Sequence, residues 1–179
     1  MTILKILTIP DPRLKHKSSE VKSFDKDLKV LVKDMYDTLY GTGNGIGLAA
    51  PQIGVKKRIV IIDLKEDNKS KPITLINPKI TKKSEEKFIN EEGCLSVPEY
   101  FAEVERSQKI EYEWYDVDGI KKKSQSVGLL SVCIQHEIDH LDGILFIDHL
   151  SNLKRKLAIE RLTKLKKKTI REVSKIKNG

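Results

Sequence analysis

The chain has 179 residues, 39% of them apolar and 34% charged, with a net charge of +8. That length suits one domain with a real core, and the apolar share is globular rather than disordered. Two cysteines are too few for a disulfide framework, and no apolar run approaches the roughly twenty residues of a membrane helix.

The opening stretch MTILKILTIPDPRL lacks a long apolar signal region and the Arg- and Ser-rich look of a transit peptide, so a cytoplasmic location is expected. Residues 24–43 place Leu28, Leu31, Val32, Met35 and Leu39 at helical spacing. Ser23 or Asp25 offers a cap at the start, and Gly41 and Gly43 mark the end. Residues 44–54, NGIGLAAPQIG, read as an irregular, close-packed loop. RIVIIDL (58–64) reads as a strand and KPITLINPKI (71–80) as another, while KIEYEWYDVDG (109–119) alternates and then turns at Asp118-Gly119. Residues 124–143 read as one helix closed by Gly143, with Leu129, Val132, Cys133, His136 and His140 near one face. A last helix begins near Ser151, docked by Leu150, Leu153 and Leu157, before residues 154–177 become strongly basic. Helices at both ends, with strands between them and no regular strand–helix alternation, predict an α+β fold. Its centre is the 124–143 helix, packed on mostly antiparallel strands between an N-terminal helix and a basic C-terminal one. The expected organisation is a single catalytic domain over 1–179, with 151–179 as a basic helix or tail.

Within that central helix, QHEIDH sets His136 and His140 one turn apart, so both imidazoles can converge on one ion. Glu137 sits beside the first of them, within reach of water in such a site. An exposed helix can spell this pattern by chance. Here the run LLSVCI before it is apolar, and a buried helix should not carry two His, a Glu and Asp139 without partners. A catalytic ion of this kind takes three protein ligands and keeps one position open. Cys133 lies two turns from His140, about 10 Å along the axis, too far for a short thiol to share an ion with it. It reads instead as a small apolar wall residue. Cys94, in NEEGCLSVP (90–98), is the remaining candidate, presented by a loop from a separate segment. His16 and His149 lie outside any ligand spacing and read as surface or packing residues.

GIGLAAPQ (45–52), EGCLS (92–96) and QHEIDH (135–140) follow one another in an order that resembles the bacterial peptide deformylases. ILTIPDPRL, RIVIID, LINP and the GLL before the central helix extend the resemblance over nearly the whole chain. It implies a metal-dependent hydrolase that removes the N-formyl group from the N-terminal methionine of newly made polypeptides and releases formate. By the same resemblance Cys94, His136 and His140 hold one divalent metal ion, with Fe(II) as the family's working metal and Zn, Ni or Co matching the same donors. Glu137 carries the proton, and the Gln52 amide and the Leu95 backbone N–H face the developing oxyanion. Gly45 and Gly47 let a substrate backbone approach as an added strand. Ile46, Leu129, Val132, Cys133 and the His136 ring line the methionine pocket, with Glu92 at its rim. Arg106 supplies a supporting ion pair. Just past CLSVP the family often carries a basic residue, where this chain has Phe101. Two other readings use the same residues: a metallopeptidase, and a non-catalytic ribosome- or RNA-binding protein. The expected partners are formyl-methionyl nascent chains and, through the basic tail, the ribosome, with no membrane involved.

Overall fold

The computed structural model describes residues 2–64 and 70–177, the last ten as backbone alone. Three α-helices and seven strands follow one another as α1 (Lys26–Gly41), β1 (Gly47–Ala49), β2 (Ile59–Ile62), β3 (Ile73–Lys83), β4 (Lys87–Cys94), β5 (Val97–Ser107), β6 (Lys109–Tyr115), β7 (Lys121–Val127), α2 (Gly128–Leu141) and α3 (Asn152–Lys177). Five strands form one antiparallel sheet in the order β1-β2-β3-β6-β7, while β4 and β5 pair as a separate hairpin. The α+β expectation holds.

Asp25 caps α1, its carboxylate accepting the Leu28 N–H at 3.0 Å, and the Ser23 hydroxyl donates to Asp25 at 2.7 Å. The apolar stripe of α1 buries Leu28, Val32, Met35 and Leu39 against one face of the five-stranded sheet. The four residues of β2 explain why its run is apolar throughout. Ile59 and Ile61 join the α1 side, Val60 and Ile62 join Ile134, Ile138 and Leu141 of α2, and all four are fully buried. The sheet is therefore covered on both faces, with α2 held between it and the β4–β5 hairpin.

Four sequence expectations are corrected. The segment 44–54 is not wholly irregular: Gly47–Ala49 adds an edge strand to β2, and a 3-10 turn, Ala50–Ile53, follows. The central helix does not begin at 124. Residues 121–127 pair with β6 as β7, and Gly128, at a φ of 60°, makes the switch into α2. Glycine takes that left-handed conformation without a β-carbon penalty. The segment around Cys94 is not a loop, because Cys94 ends β4 and pairs with Val97 across a tight turn. Finally, α3 does not dock through Leu153 and Leu157, which are 69% and 56% exposed. It docks through Ala158 and Leu162, which pack with Ile9, Val97, Val104 and Phe146. Burying a leucine such as Leu162 contributes about 2 kcal/mol, enough to hold the first half of α3 on the body. Of the expected stripe of Leu150, Leu153 and Leu157, only Leu150 contacts this cluster. The basic residues beyond Lys167 fall outside the described side chains, and Asn178 and Gly179 fall outside the described residues. No helix among the described residues is long and apolar enough to cross a membrane.

Candidate metal centre and active site

Three elements meet at the site. The first is α2, whose buried middle carries His136, Glu137 and His140. The second is the β4–β5 hairpin, which ends β4 on Cys94. The third is the 3-10 turn after β1, which carries Gln52. Two backbone bonds from the N-terminal segment strap the second and third together: the Leu7 N–H donates to the Gln52 carbonyl at 2.7 Å, and the Ile9 N–H to the Ser96 carbonyl at 3.0 Å.

One nitrogen of each imidazole and the Cys94 sulfur lie within 4.8 Å of one another. The sulfur is 3.2 Å from His140 Nε2, and the two rings meet edge-on with centroids 4.9 Å apart. His136 Nδ1 donates to Glu92 at 2.8 Å, which leaves Nε2 as the nitrogen facing the other two donors. A carboxylate fixing a histidine through its far nitrogen is the usual support for a metal ligand. Burial, reinforced by the neighbouring His136, holds His140 well below the ordinary imidazole range, so its ring is a neutral lone-pair donor. One thiol and two imidazoles at this separation fit a transition-metal or zinc ion.

Glu137 supplies a second sign of fit. Its Oε2 is buried and has no hydrogen-bond partner among the described residues, and burial pushes the carboxyl up to about 7. An orphaned carboxylate oxygen is costly unless a ligand or water completes it. Gly47 makes room for this group: a β-carbon there would lie 2.5 Å from Glu137 Oε1. The space a side chain would take at Gly47 is thus held by Glu137. At Gly45 a β-carbon would collide with Leu39 and Thr42, so that glycine serves packing under α1.

Gln52 is buried, with its amide orientation set by the Ala49 N–H donating to Oε1 at 2.8 Å. Nε2 therefore points to the hairpin, 3.1 Å from Ser96 Oγ and 3.5 Å from the Cys94 sulfur. Leu95, half-buried, follows Cys94 in the turn and packs on the α1 cluster.

Behind His136 runs a buried ionic chain. Arg106 donates from Nε and Nη2 to the two oxygens of Glu92, at 2.8 and 3.0 Å, and from Nη1 to Asp139 at 2.5 Å. His149 Nε2 closes the chain 2.7 Å from Asp139. Burial alone would raise Glu92, but His136 and Arg106 together hold it at about 2. Glu92 is thus not a rim residue: it is 4% exposed and braces His136. The partners of Arg106 are Glu92 and Asp139, and His149, at the surface as expected, adds an exposed contact to Asp139. Ser96 was also missed. No local spacing marks these residues, because they meet only through the hairpin.

A cavity of about 450 Å³ opens over this arrangement. Gly45, Ile46 and Gly47 form one wall, and Leu129, Val132 and Cys133 of α2 form the floor with His136 and Glu137. Gln52, Glu92, Cys94 and Leu95 border it as well, so His140 alone of the thirteen expected site residues lies outside the lining. Burial pushes the Cys133 thiol up to about 12, consistent with an apolar wall. His16 is exposed and lies apart.

The family model for polypeptide deformylase matches residues 3–156. The peptide deformylase of Zymomonas mobilis is 49% identical over 97% of this chain and 99% of its own length. That of Novosphingobium aromaticivorans is 47% identical over 93% and 99%. The crystal structure of peptide deformylase from Ehrlichia chaffeensis in complex with actinonin superposes with a TM-score of 0.87 at 43% identity, covering 92% of this chain and 98% of that one.

The geometry separates the two cysteines by experiment. Cys94→Ala should lose bound metal by elemental analysis of the purified protein, whereas Cys133→Ala should keep about one ion per chain. The reverse pattern would remove Cys94 from the ligand set.

Proposed function

The chain belongs to the polypeptide deformylase family, and from that membership we propose how its site carries out the reaction. The protein is a hydrolase that removes the N-formyl group from the N-terminal methionine of newly made polypeptides, releasing formate. The observation that carries the mechanism is the convergence of Cys94, His136 and His140 beside the unpartnered, buried carboxylate of Glu137.

In our reading these three side chains hold one divalent ion, which supplies Lewis acidity and acidifies water toward neutrality. Iron(II) is our assignment for the working metal, by resemblance to the family, and Zn, Ni and Co suit the same donors. Glu137, with a carboxyl raised to about 7, is suited both to accept a proton from the attacking water and to return it to the departing amine. Its Oε2 is the atom left open for that proton. Gln52 Nε2, fixed through Ala49, and the Leu95 backbone N–H are the proposed donors to the oxygen that becomes negative as the formyl carbon turns tetrahedral. Glu92 keeps His136 oriented through the reaction. Ile46, Leu129, Val132 and Cys133 offer the methionine side chain an apolar pocket that also excludes water. Gly45 and Gly47 bound the wall along which the substrate backbone would lie, next to the edge strand β1.

We further propose that residues 1–179 form one catalytic domain acting in the cytoplasm, where nascent chains are made. The family match covers residues 3–156, ending early in α3. Residues 151–179 would then be a basic extension that docks on the ribosome, supported by Lys154, Arg155, Lys156, Arg161 and Lys164 on the described part of α3. Because Ala158 and Leu162 belong to the core, a clean truncation must fall after Lys167 rather than at 154.

The central test is formate release from formyl-Met-Ala, with metal analysis of the same sample. Unmodified protein should release formate and leave ordinary peptide bonds intact. Glu137→Gln should retain metal yet lose about two to four orders of magnitude in turnover. Proteolysis without formate would sink the reading. Replacing the exposed Lys154, Lys156, Arg161 and Lys164 by Gln, which leaves Ala158 and Leu162 in place, should weaken binding to ribosomes and make it fall less steeply as salt rises, while activity on the short peptide stays unchanged. Equal binding by that variant would remove the docking role.

A further inference from the structure

The Gln52 amide is held at two points, and only one of them belongs to its own turn. Its Oε1 accepts the Ala49 N–H at 2.8 Å. That bond fixes which end of the amide faces the hairpin, but it leaves the amide plane free to swing about it. Ser96 supplies the second point. Gln52 Nε2 donates to Ser96 Oγ at 3.1 Å, and both residues are buried, at 1% and 0% exposed. A planar amide carries two N–H bonds at a fixed angle, so pinning one to Ser96 aims the other. That other N–H is left to the converging donors of the metal centre, where Nε2 lies 3.5 Å from the Cys94 sulfur.

Ser96 is itself fixed by its backbone. It sits in the tight turn that pairs Cys94 with Val97. Its N–H donates to the Cys94 sulfur at 3.4 Å, and its carbonyl accepts the Ile9 N–H at 3.0 Å. The hydroxyl therefore has a set place relative to that sulfur. Gln52 and Ser96 come from segments that share no strand pairing, so their bond registers the 3-10 turn on the hairpin. A donor lowers the energy of a developing oxyanion most when it is oriented before the charge appears. A buried amide proton deprived of its acceptor is costly and turns to another. Here the acceptor at hand is the Cys94 sulfur.

We propose that Ser96 is a positioning residue for deformylation: its hydroxyl takes one Gln52 amide proton and so aims the other at the oxygen that becomes negative. The inference rests on the deformylase reading above. Ser96→Ala keeps the backbone N–H that meets Cys94, so it removes the hydroxyl alone. The test is a cycle of four proteins: unmodified, Ser96→Ala, Gln52→Ala and the double variant. Each is assayed for formate release from formyl-Met-Ala, with metal analysis and circular dichroism on the same sample. Ser96→Ala should lower kcat about tenfold, with KM and metal content unchanged. That is less than the loss of about 10²–10³-fold expected of Gln52→Ala, which removes the donor itself. The double variant should be no slower than Gln52→Ala, because Ser96 acts only through that amide. In NMR spectra of the zinc-loaded protein, the Gln52 side-chain amide protons, assigned by their absence in Gln52→Ala, should shift in Ser96→Ala. Should the alanine variant not fold, Ser96→Gly removes the same oxygen and carries the same cycle. A loss that persists undiminished in the Gln52→Ala background overturns this inference alone, as does an unchanged kcat, or lost metal, in Ser96→Ala. No formate from the unmodified, metal-loaded protein overturns the deformylase reading and the inference with it.

Discussion

The site depends on one buried ionic bridge, from Glu92 on the hairpin through Arg106 to Asp139 on α2. The proposed donors come from two bodies that share no strand pairing: Cys94 from the β4–β5 hairpin, and His136 and His140 from α2. Apolar packing alone does not set the relative position of two such bodies to the accuracy a metal site needs. The bridge does, because a bidentate guanidinium–carboxylate pair fixes direction as well as distance. Glu92 spends its Oε2 on both partners at once, accepting from Arg106 and from His136. The same carboxylate thereby joins the two bodies and sets the ring angle of a proposed ligand.

Such a bridge is not an obvious source of stability. Desolvating Arg106 and Glu92 offsets much of their attraction, and apolar replacements of similar volume are often no worse. Removing one partner alone is another matter, since it strands a buried charge at a cost of about 3–5 kcal/mol. The bridge is better understood as geometry for the site. Space follows the same logic. Gly47 leaves room for Glu137 and Gly93 for Phe101, so two backbone positions without side chains decide where these two side chains stand.

Much of this was legible in the sequence where a periodic apolar pattern met a covered face. The stripe of α1, the buried run of β2 and the alternation of β6 could all be read directly. The hairpin could not, because its outward residues are largely Glu and its apolar contacts, Val97 and Val104, are too sparse to show a period. The second half of β7, 124–127, reads as the start of the central helix because KKKSQSV is polar, and only Gly128 marks the switch. In α3 the exposed Leu153 and Leu157 carry the same apolar signal as the docked residues, so the sequence places the stripe one face away from Ala158 and Leu162. At the site, the spacing of His136 and His140 pointed to paired donors, and distance along the helix set Cys133 aside in favour of Cys94. The bracing residues were hidden for a physical reason. Glu92, Arg106 and Asp139 are far apart in sequence and become neighbours only once the hairpin has closed on α2.

Whether Glu92 aligns His136 for metal is tested most directly by the metal dissociation constant of Glu92→Gln. Competition against a chromophoric chelator would measure it, with circular dichroism confirming the fold. The expected result is a folded protein whose dissociation constant rises by about 10- to 100-fold, because His136 loses the carboxylate that orients it. An unchanged dissociation constant in a folded protein would contradict the claim.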